Sequence, residues 1–310
     1  MHRPKITVVG STMVDLVTYI DRMPREGETI EAPHFSMGYG GKGANQAVAA
    51  ALLGADVAMV GKVGDDLFGP GTLENFRRFG IDCSFMDMVP GESSGVAPIF
   101  VDPHAKNSIL IIKGANLRLL PADIDRAAGL IKNSDLVILQ LEVALETVYH
   151  SIDSCREWGI PVILNPAPAD ARLDLARIGG IFLFAPNETE LASITEMPVA
   201  SLDQARAAAA SLLSRGLERI LVTLGEKGCL LVTREQVLHV PGIAVPSIDS
   251  TGAGDAFIGS LAVRYLETKD LAESIRWANA YAALSTTGKG TQKSFATRAA
   301  FDTFLRSREP

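Results

Sequence analysis

Short apolar segments alternate with longer amphipathic stretches along most of this sequence. The apolar segments have the length of buried strands and lie at residues 6–10, 57–61, 136–141, 162–165, 181–185, 220–224 and 229–233. The stretches between them have helical periodicity, as at residues 44–53, 123–132, 144–158 and 201–214. Units of strand, helix and strand at this spacing form parallel sheets covered on both faces. We therefore predict an α/β fold with a mostly parallel central sheet flanked by helices.

Two regions depart from this alternation and predict a small additional sheet. Residues 28–38 and 95–113 alternate apolar and polar positions without a crossover helix. We expect residues 1–310 to form a single domain, with a β-sheet lid at about residues 16–40 and 93–114 over a cleft. The apolar side chains of the lid need a cover, and a second copy of the chain would provide one, which predicts a homodimer. These side chains are Val96, Ile99, Val101, Ile109 and Ile111.

Composition and charge restrict the class of function. The chain has 310 residues, 47% of them apolar, and can bury a large core. The net charge is −7 with both signs interspersed, so nucleic acid is not expected as a partner. Three separated cysteines predict no disulfide framework, and the five histidines lack the spacing of metal ligands. The N-terminal segment is too short for a signal peptide and no apolar run matches a membrane span, so we expect a soluble, cytoplasmic protein.

The segment 249–255, Asp-Ser-Thr-Gly-Ala-Gly-Asp, precedes an apolar stretch and predicts the start of a helix. The first N–H groups of a helix have no partner within it, and glycine lets an anion approach them closely. The segment therefore predicts an anion site. Asp255 follows in the first turn, where an acid either stabilises the helix or takes a proton from an attacking hydroxyl.

A second glycine-rich segment, residues 38–46, also opens a helical stretch. Lys42 and Asn45 lie in its first turn, where their side chains can reach a small ligand. The segment is not a P-loop, because Lys42 lacks the required glycine spacing and a following Ser or Thr.

Two acidic side chains lie at the ends of predicted strands, where α/β sheets bind their ligands. Asp15 follows the first strand, and the glycine fingerprint of dinucleotide-binding folds is absent there. Its carboxylate either caps the loop or accepts hydrogen bonds from sugar hydroxyls. Glu142 follows the strand at 136–141 and is expected to face a ligand.

Two further segments have both a structural and a functional interpretation. Asn187 with Glu190 three residues later is typical of a helix capping box, or alternatively places Glu190 near magnesium through water. Residues 223–228 form either a simple hairpin turn or a backbone surface for a nucleotide. The residues alone leave both choices open.

Taken together, these motifs resemble those of the ribokinase-like sugar kinases, the phosphofructokinase-B family. The two signature regions of that family are similar to residues 40–46, Gly-Gly-Lys-Gly-Ala-Asn-Gln, and to residues 249–255. The likeness covers the whole chain in the same motif order, and residues 165–168, Asn-Pro-Ala-Pro, are similar to its ribokinase branch. The resemblance implies a ribokinase-like fold and an ATP-dependent 5-kinase of a pentose.

The resemblance also implies roles for individual residues. Asp255 would be the general base on the sugar hydroxyl, and Gly252, Ala253 and Gly254 would form the anion hole for the transferred phosphoryl group. The positions similar to the family's sugar contacts are Asp15, Gly41, Lys42, Asn45 and Glu142. Those similar to its nucleotide contacts are Asn187, Thr223, Gly225, Gly228, Gly254 and Asn279.

Two kinds of metal ion are implied in the same way. Mg²⁺ would lie near the phosphates and meet Glu190 through water. A monovalent cation, K⁺, would lie beside the anion hole as an activator. Its ligands, several of them backbone carbonyls, would be Asp249, Thr251, Ser285, Gly288, Gly290 and Ser294.

One departure from the family pattern concerns the sugar. Ribokinases usually carry Asn where this chain has Met13, two residues before Asp15. Loss of the amide removes a hydrogen bond worth about 1 kcal/mol, whereas a thioether fits a ring carbon that has no hydroxyl. Here the chain resembles the bacterial 2-deoxyribose kinases of the family, which share Met-Val-Asp. The expected substrate is 2-deoxy-D-ribose, with D-ribose accepted more weakly, unless Met13 only packs the strand end.

Three other interpretations stay open at this point. The chain is a D-ribose-specific kinase if Met13 has no effect on the sugar. It is a non-catalytic sensor if it binds sugar or nucleotide without turnover, although the intact Asp255 and anion-hole glycines argue against that. A dehydrogenase is disfavoured because the dinucleotide fingerprint is missing.

Overall fold

The computed structural model describes residues 3–103 and 107–308. Its strands belong to two sheets, one large and one small. The strands are β1 (Lys5–Val9), β2 (Met13–Tyr19), β3 (His34–Gly40), β4 (Asp56–Gly64), β5 (Asp82–Val89), β6 (Val96–Val101), β7 (Asn107–Ile109), β8 (Leu136–Leu139), β9 (Val162–Leu164), β10 (Leu183–Phe184), β11 (Ile220–Thr223), β12 (Cys229–Val232) and β13 (Val237–Val240).

Helices connect most of these strands. The α-helices are α1 (Lys42–Leu52), α2 (Gly69–Arg78), α3 (Pro121–Arg126), α4 (Ala128–Ile131), α5 (Leu145–Trp158), α6 (Glu188–Thr195), α7 (Leu202–Leu213), α8 (Ala253–Thr268), α9 (Leu271–Ser285) and α10 (Arg298–Arg306). Short 3₁₀ turns lie at Gly114–Arg118, Leu175–Ile178, Gly225–Lys227 and Gln292–Ser294. Within the described residues, none of these helices combines the length and the apolar character needed to cross a bilayer.

The large sheet has the strand order β13-β12-β11-β10-β9-β8-β1-β4-β5. All neighbours from β11 to β5 are parallel, and β12 and β13 continue the sheet in antiparallel fashion. The predicted mostly parallel central sheet is therefore confirmed. The apolar runs do not predict the edge strands β5 and β13, because these bury only some of their side chains.

Successive residues of the central strands face opposite sides of the sheet and fill two separate cores. In β8, Leu136 and Ile138 pack on the side of α1, α8 and α9, whereas Val137 and Leu139 pack on the side of α5 and α7. Burial on both faces explains why these strands are continuous apolar runs. The parallel strands also end at one edge of the sheet, and the loops after β1, β8 and β9 meet there.

The small sheet has the order β3-β2-β6-β7, with β2 and β6 parallel and the outer pairs antiparallel. The prediction of a strand over residues 28–38 is partly wrong, because β3 begins only at His34. Pro33 lies directly before it and has no N–H to give to a ladder. The role of this sheet as a lid, and the single-domain description, stay predictions.

The apolar residues expected on one face of the small sheet lie on both faces. Ile99 pairs with Val17 of β2, and Ala97, which lies on the same side of β6 two residues earlier, pairs with Asp15. Val96 pairs with Val14 and so points to the opposite side. That opposite side carries four largely exposed side chains: Phe35, Met37, Leu110 and Ile112.

The helices α1 and α8 pack closely against each other near the ligand edge of the sheet. A Cβ added at Gly259 of α8 would lie 2.5 Å from Gln46 O and 2.8 Å from Ala49 Cβ, both in α1. Only a glycine allows the two backbones to approach this closely. Asp255 lies one helical turn before Gly259 and therefore faces the first turns of α1.

Replacing Gly259 with Ala tests this contact. We expect the Gly259→Ala variant to lose about 1–3 kcal/mol of unfolding free energy, because overpacking forces two helices apart. Any reaction rate that depends on Asp255 should also fall in this variant. Guanidinium unfolding of wild type and variant measures the loss.

Gly129 provides the matched control, because it also lies in a helix but a Cβ there would meet no atom within 4 Å. Gly129→Ala should be neutral or stabilise by roughly 0.5–1 kcal/mol, as expected for alanine in a helix. Equal stability of the two variants would contradict the α1–α8 contact.

Candidate active site

The first turn of α1 is built against the loop that follows β1. Gly41 has φ = 89°, and a Cβ there would lie 2.7 Å from Met13 N. A Cβ at Gly43 would lie 2.7 Å from Ser11 N. Glycine is required at both positions, so the Gly-Gly-Lys-Gly sequence lets the helix begin against the backbone of the β1–β2 loop.

Glu142 caps this helix from the loop after β8. Its Oε2 accepts hydrogen bonds from Lys42 N at 2.9 Å and from Ser11 Oγ at 2.5 Å. Ser11 O also accepts a bond from Ala44 N at 2.9 Å. A buried carboxylate is favourable here because it lies at the positive end of the helix dipole. The structure thus gives Glu142 a structural role, and its contact with a sugar stays a prediction.

Asp255 lies in the first turn of α8, and two amides of α1 hold its carboxylate. Asn45 Nδ2 donates to Oδ2 at 2.8 Å, and Gln46 Nε2 donates to Oδ1 at 2.9 Å. Burial raises the pKa of Asp255, whereas the ammonium of Lys42 and the two amides oppose that rise. The carboxylate is therefore oriented and more basic than an ordinary aspartate, as a general base needs to be.

Asn45 and Gln46 are fixed in turn by further amide side chains. Gln292 Nε2 donates to Asn45 Oδ1 at 3.1 Å, and Gln140 Nε2 donates to Gln46 Oε1 at 2.7 Å. Gln46 Nε2 also lies 3.1 Å from Asn165 Oδ1. The three glutamines are absent from the residues predicted to form the site. The sequence signals for them are the position of Gln46 next to Asn45 in the first signature and that of Gln140 two residues before Glu142.

A cavity of about 160 Å³ opens beside Asp255. Burial alone would lower the pKa of Lys42, but the charges of Asp255, Glu142 and Glu190 raise it. Lys42 therefore stays protonated and can attract phosphate oxygens. The cavity is lined by Lys42, Asn165, Ala167, Ala185, Asn187, Glu190, Thr223, Gly252, Gly254, Asp255 and Ile258.

Met13 and Asp15 share one face of the small sheet, because they are two residues apart in β2. Burial and the charges of Glu142 and Asp255 raise the pKa of Asp15 to about 7. Asp15 lies within a strand, so the interpretation as a loop cap is wrong. Met13 is buried and packs with Ala97 of β6. Sugar contacts of Met13 and Asp15 stay predictions.

The turn before α8 presents its backbone to the cavity. Gly252 is the N-cap with φ = 78°, and a Cβ there would lie 2.2 Å from Thr291 Cγ2. A Cβ at Gly254 would meet no atom within 4 Å, so there is room for an anion. The N–H of Ala253 already donates to Ser250 O at 3.1 Å. This turn has the open space and the helix N-terminus that an anion site requires.

Asn187 and Glu190 form the capping box at the start of α6. Glu190 N donates to Asn187 Oδ1 at 2.8 Å, and Asn187 N donates to Glu190 Oε2 at 2.9 Å. The capping interpretation is therefore confirmed. Burial raises the pKa of Glu190. Thr223 forms a parallel bridge with Asn187, and all three residues line the cavity.

The remaining residues predicted to contact the nucleotide lie outside the lining of this cavity. Gly225 and Gly228 have φ of 56° and 92° and form the turn between β11 and β12, which confirms the hairpin interpretation. Asn279 of α9 donates from Nδ2 to Pro241 O at 2.8 Å. Contacts of these residues with a nucleotide stay predictions.

The residues beside this cavity fit a magnesium ion that is held through water. Among residues 3–103 and 107–308 there is no group of three or more His, Cys, Asp or Glu side chains that could hold a metal ion. Both oxygens of Glu190 accept hydrogen bonds from Asn187, through its N and Nδ2. This donor set fits the predicted contact through water better than direct coordination.

The positions predicted for potassium lie in two loops that meet beside the start of α8. Asp249 Oδ1 accepts a bond from Thr251 N and Oδ2 accepts one from Gly290 N, both at 2.9 Å. A Cβ at Gly288 would lie 2.9 Å from Ser294 Cβ, so the backbone at Gly288 lies close to Ser294. Carbonyl and carboxylate oxygens suit a hard cation. The six predicted ligands are Asp249, Thr251, Ser285, Gly288, Gly290 and Ser294.

Segments far apart in the sequence therefore meet at one cleft. The first turns of α1 and α8 place a buried carboxylate, an ammonium group and a helix N-terminus side by side. Transfer of a phosphoryl group to a hydroxyl requires mainly this kind of positioning and charge stabilisation.

Known proteins resemble this chain over nearly its full length. Residues 3–298 match the family described as pfkB family carbohydrate kinase. The protein named deoxyribokinase from Salmonella typhi is 53% identical over 304 residues, which cover 98% of this chain and 99% of that protein. The ribokinase of Mus musculus is 39% identical, covering 94% of this chain and 91% of its own.

The fold is shared with solved ribokinases. The structure of Arabidopsis thaliana ribokinase complexed with ribose and ATP superposes with a TM-score of 0.92 at 32% identity. It covers 98% of this chain and 99% of that one. The ribokinase-like fold and the family inferred from the motifs are confirmed, and the chain belongs to the pfkB family of carbohydrate kinases.

Proposed function

We propose that this chain is an ATP-dependent kinase that phosphorylates the 5-hydroxyl of 2-deoxy-D-ribose and accepts D-ribose more weakly. The observation that carries the proposal is the buried carboxylate of Asp255, oriented by Asn45 and Gln46 beside the helix N-terminus at α8. The relative at 53% identity is named deoxyribokinase, and the structural neighbour from Arabidopsis thaliana is complexed with ribose and ATP.

Asp255 acts as the general base in this proposal. It accepts the proton of the 5-hydroxyl as that oxygen attacks the γ-phosphorus of ATP. The new oxygen–phosphorus bond forms while the bond to the β–γ bridging oxygen breaks, and ADP leaves with that electron pair. Burial favours this proton transfer because it raises the pKa of Asp255.

The helix starts stabilise the charge of the transferred group. The backbone at Gly252, Ala253 and Gly254 faces the phosphoryl oxygens at the positive end of α8. Lys42 supplies a full positive charge across the cavity, since neighbouring carboxylates raise its pKa. These groups are in place before the reaction and need little rearrangement.

The sugar lies between the small sheet and α1. Its hydroxyls are held by polar groups of Asp15, Gly41, Lys42, Asn45 and Glu142. Met13 is buried on the same face of β2 as Asp15, and its thioether places an apolar group there, next to which a ring carbon without a hydroxyl fits. An apolar contact rejects an extra hydroxyl only weakly, so ribose remains a slower substrate.

The nucleotide lies along the other side of the cavity. When bound, Mg²⁺ would neutralise phosphate charge, with Glu190 holding one of its waters. A bound K⁺ would be held by the loops around Asp249 and Gly290 and would order the turn before α8. The residues proposed to contact the nucleotide are Asn187, Thr223, Gly225, Gly228, Gly254 and Asn279.

A D-ribose-specific kinase is the second candidate. Ribokinases are also similar to this chain, at 39% identity for the one from Mus musculus. The higher identity to the protein named deoxyribokinase and the apolar Met13 favour the deoxy sugar. A sensor without activity is the third, and absence of turnover with either sugar would support it.

We infer that the kinase is a homodimer through the small sheet. The face of that sheet directed away from Met13 and Asp15 exposes four apolar side chains, with Phe35 at 64% and Leu110 at 60%. Several exposed apolar side chains on one face of a sheet are typical of protein interfaces. The same symmetric patch on a second copy can cover them.

Exchange of Met13 tests the sugar preference. We expect wild type to have a higher kcat/KM for 2-deoxy-D-ribose than for D-ribose, and Met13→Asn to move that ratio about tenfold towards ribose, the effect of roughly one hydrogen bond. Met13→Leu is the matched control and should keep the deoxyribose preference. Coupled measurement of ADP release with both sugars gives the ratios. An unchanged ratio in Met13→Asn would remove Met13 from sugar selection.

Charges on the exposed face test the dimer. Wild type should sediment as a dimer, whereas Phe35→Glu combined with Leu110→Glu should give a monomer, because two buried charges at an interface are costly. Leu67→Glu serves as the control, since Leu67 is 95% exposed outside the small sheet. Sedimentation velocity distinguishes the species, and a wild-type monomer at all concentrations would contradict the inference.

A further inference from the structure

We propose that Gln46 is a positioning residue for the reaction, and that its side-chain amide fixes the orientation of the Asp255 carboxylate towards the sugar hydroxyl. The distance from Gln46 Nε2 to Asp255 Oδ1 is 2.9 Å, and Gln46 is fully buried. The inference rests on the proposed function, because it takes Asp255 as the base. In this role the side chain of Gln46 acts through Asp255 and need not contact the sugar.

Asp255 needs such a partner because an aspartate carboxylate has a broad, weakly restricted terminal torsion. Asn45 binds only one of its oxygens, at Oδ2, and a single bond leaves the carboxylate free to tilt. Gln46 binds the other oxygen, Oδ1. Together, the two amides on separate oxygens define the plane of the carboxylate and leave its remaining lone pairs for the substrate.

The side-chain amide of Gln46 cannot flip in this environment. Its Nε2 lies beside two acceptors, Asp255 Oδ1 and Asn165 Oδ1, and its Oε1 accepts from Gln140 Nε2 at 2.7 Å. A flipped amide would put an oxygen against both acceptors and an N–H against a donor. Gln140 packs against the backbone of Gly10, since a Cβ built at Gly10 would lie only 2.0 Å from Gln140 Oε1.

The backbone of Gln46 is fixed as well. Its carbonyl oxygen lies at the close contact with Gly259 of α8, one helical turn after Asp255. The same residue therefore joins the two helices through its backbone and orients the base through its side chain. A merely structural amide in this position would stabilise the fold without affecting proton transfer.

The effect on proton transfer has a definite sign. A hydrogen bond donated to the ionised carboxylate lowers its pKa, and Gln46 opposes in this way the rise caused by burial. Loss of the donor raises the pKa of Asp255, so a higher pH is needed to ionise the base. The acidic limb of the pH profile of kcat then moves to higher pH, and kcat is the readout because the bound sugar already holds Asp15, whose pKa of about 7 would otherwise overlap with that limb.

Two variants of Gln46 and two references test the proposal. In Gln46→Met the donor is lost, and in the isosteric Gln46→Glu a second carboxylate is added beside Asp255. Gln140→Met is the matched control, because it removes a buried amide of the same network that does not touch Asp255. Gln46 keeps its orientation in this variant, since its Nε2 still donates to both Asp255 Oδ1 and Asn165 Oδ1. Asp255→Asn reports on the base itself. The measurement is kcat and KM for 2-deoxy-D-ribose between pH 5 and 9, with unfolding curves for each variant.

We expect the midpoint of the acidic limb to rise by about one pH unit in Gln46→Met, and further in Gln46→Glu because two neighbouring carboxylates repel. On the plateau above this limb, kcat should fall about tenfold with little change in KM for the sugar, because the base is no longer held in its reactive orientation. Gln140→Met should keep the wild-type midpoint even if it is less stable.

The outcomes separate this inference from the proposed function. A wild-type midpoint in folded Gln46→Met and Gln46→Glu, with Asp255→Asn inactive, would overturn the role of Gln46 alone. An equal shift in Gln140→Met would also overturn it, because the effect would then belong to the packing of the network. Full activity of Asp255→Asn would instead remove Asp255 as the base and with it the proposed mechanism.

Discussion

The close contact between α1 and α8 at Gly259 sets the geometry of the whole site. Because no side chain separates Gly259 from Gln46 O, the two helices start close together at the ligand edge of the sheet. The first turn of α8 carries Asp255, and the first turns of α1 carry Lys42, Asn45 and Gln46. A wider crossing would separate the base from the amides that orient it. The glycine and the polar network are thus parts of one arrangement.

The electrostatics of the cleft follow from this close packing. Asp255, Glu142 and Glu190 act on one ammonium group, that of Lys42, and the charges of Glu142 and Asp255 also act on Asp15. Burial raises the pKa of Asp15 and Asp255, which costs stability at neutral pH because the ionised forms lose hydration. Such groups are common where a protein binds polar ligands, since the ligand replaces the lost hydration. The excess of negative charge also explains why a single lysine stays protonated there.

The sequence predicts much of this structure, and the failures have physical causes. Both glycine-rich helix starts and the parallel sheet follow from local patterns, since glycine conformation and strand periodicity are local properties. The edge strands β5 and β13 are missed because they are only partly buried. Gln140 and Gln292 are missed because only tertiary packing brings them to Asn45 and Gln46. A polar side chain held by residues about 90 or more positions away leaves no periodic signal.

A crystal structure of this chain with 2-deoxy-D-ribose and a non-hydrolysable ATP analogue tests the proposed mechanism most directly. We expect the sugar O5 within about 3 Å of a carboxylate oxygen of Asp255, with the γ-phosphate against the first turn of α8. The ring carbon that lacks a hydroxyl should lie beside Met13. A different hydroxyl at Asp255, or a γ-phosphate bound away from Gly252 and Gly254, would contradict the mechanism.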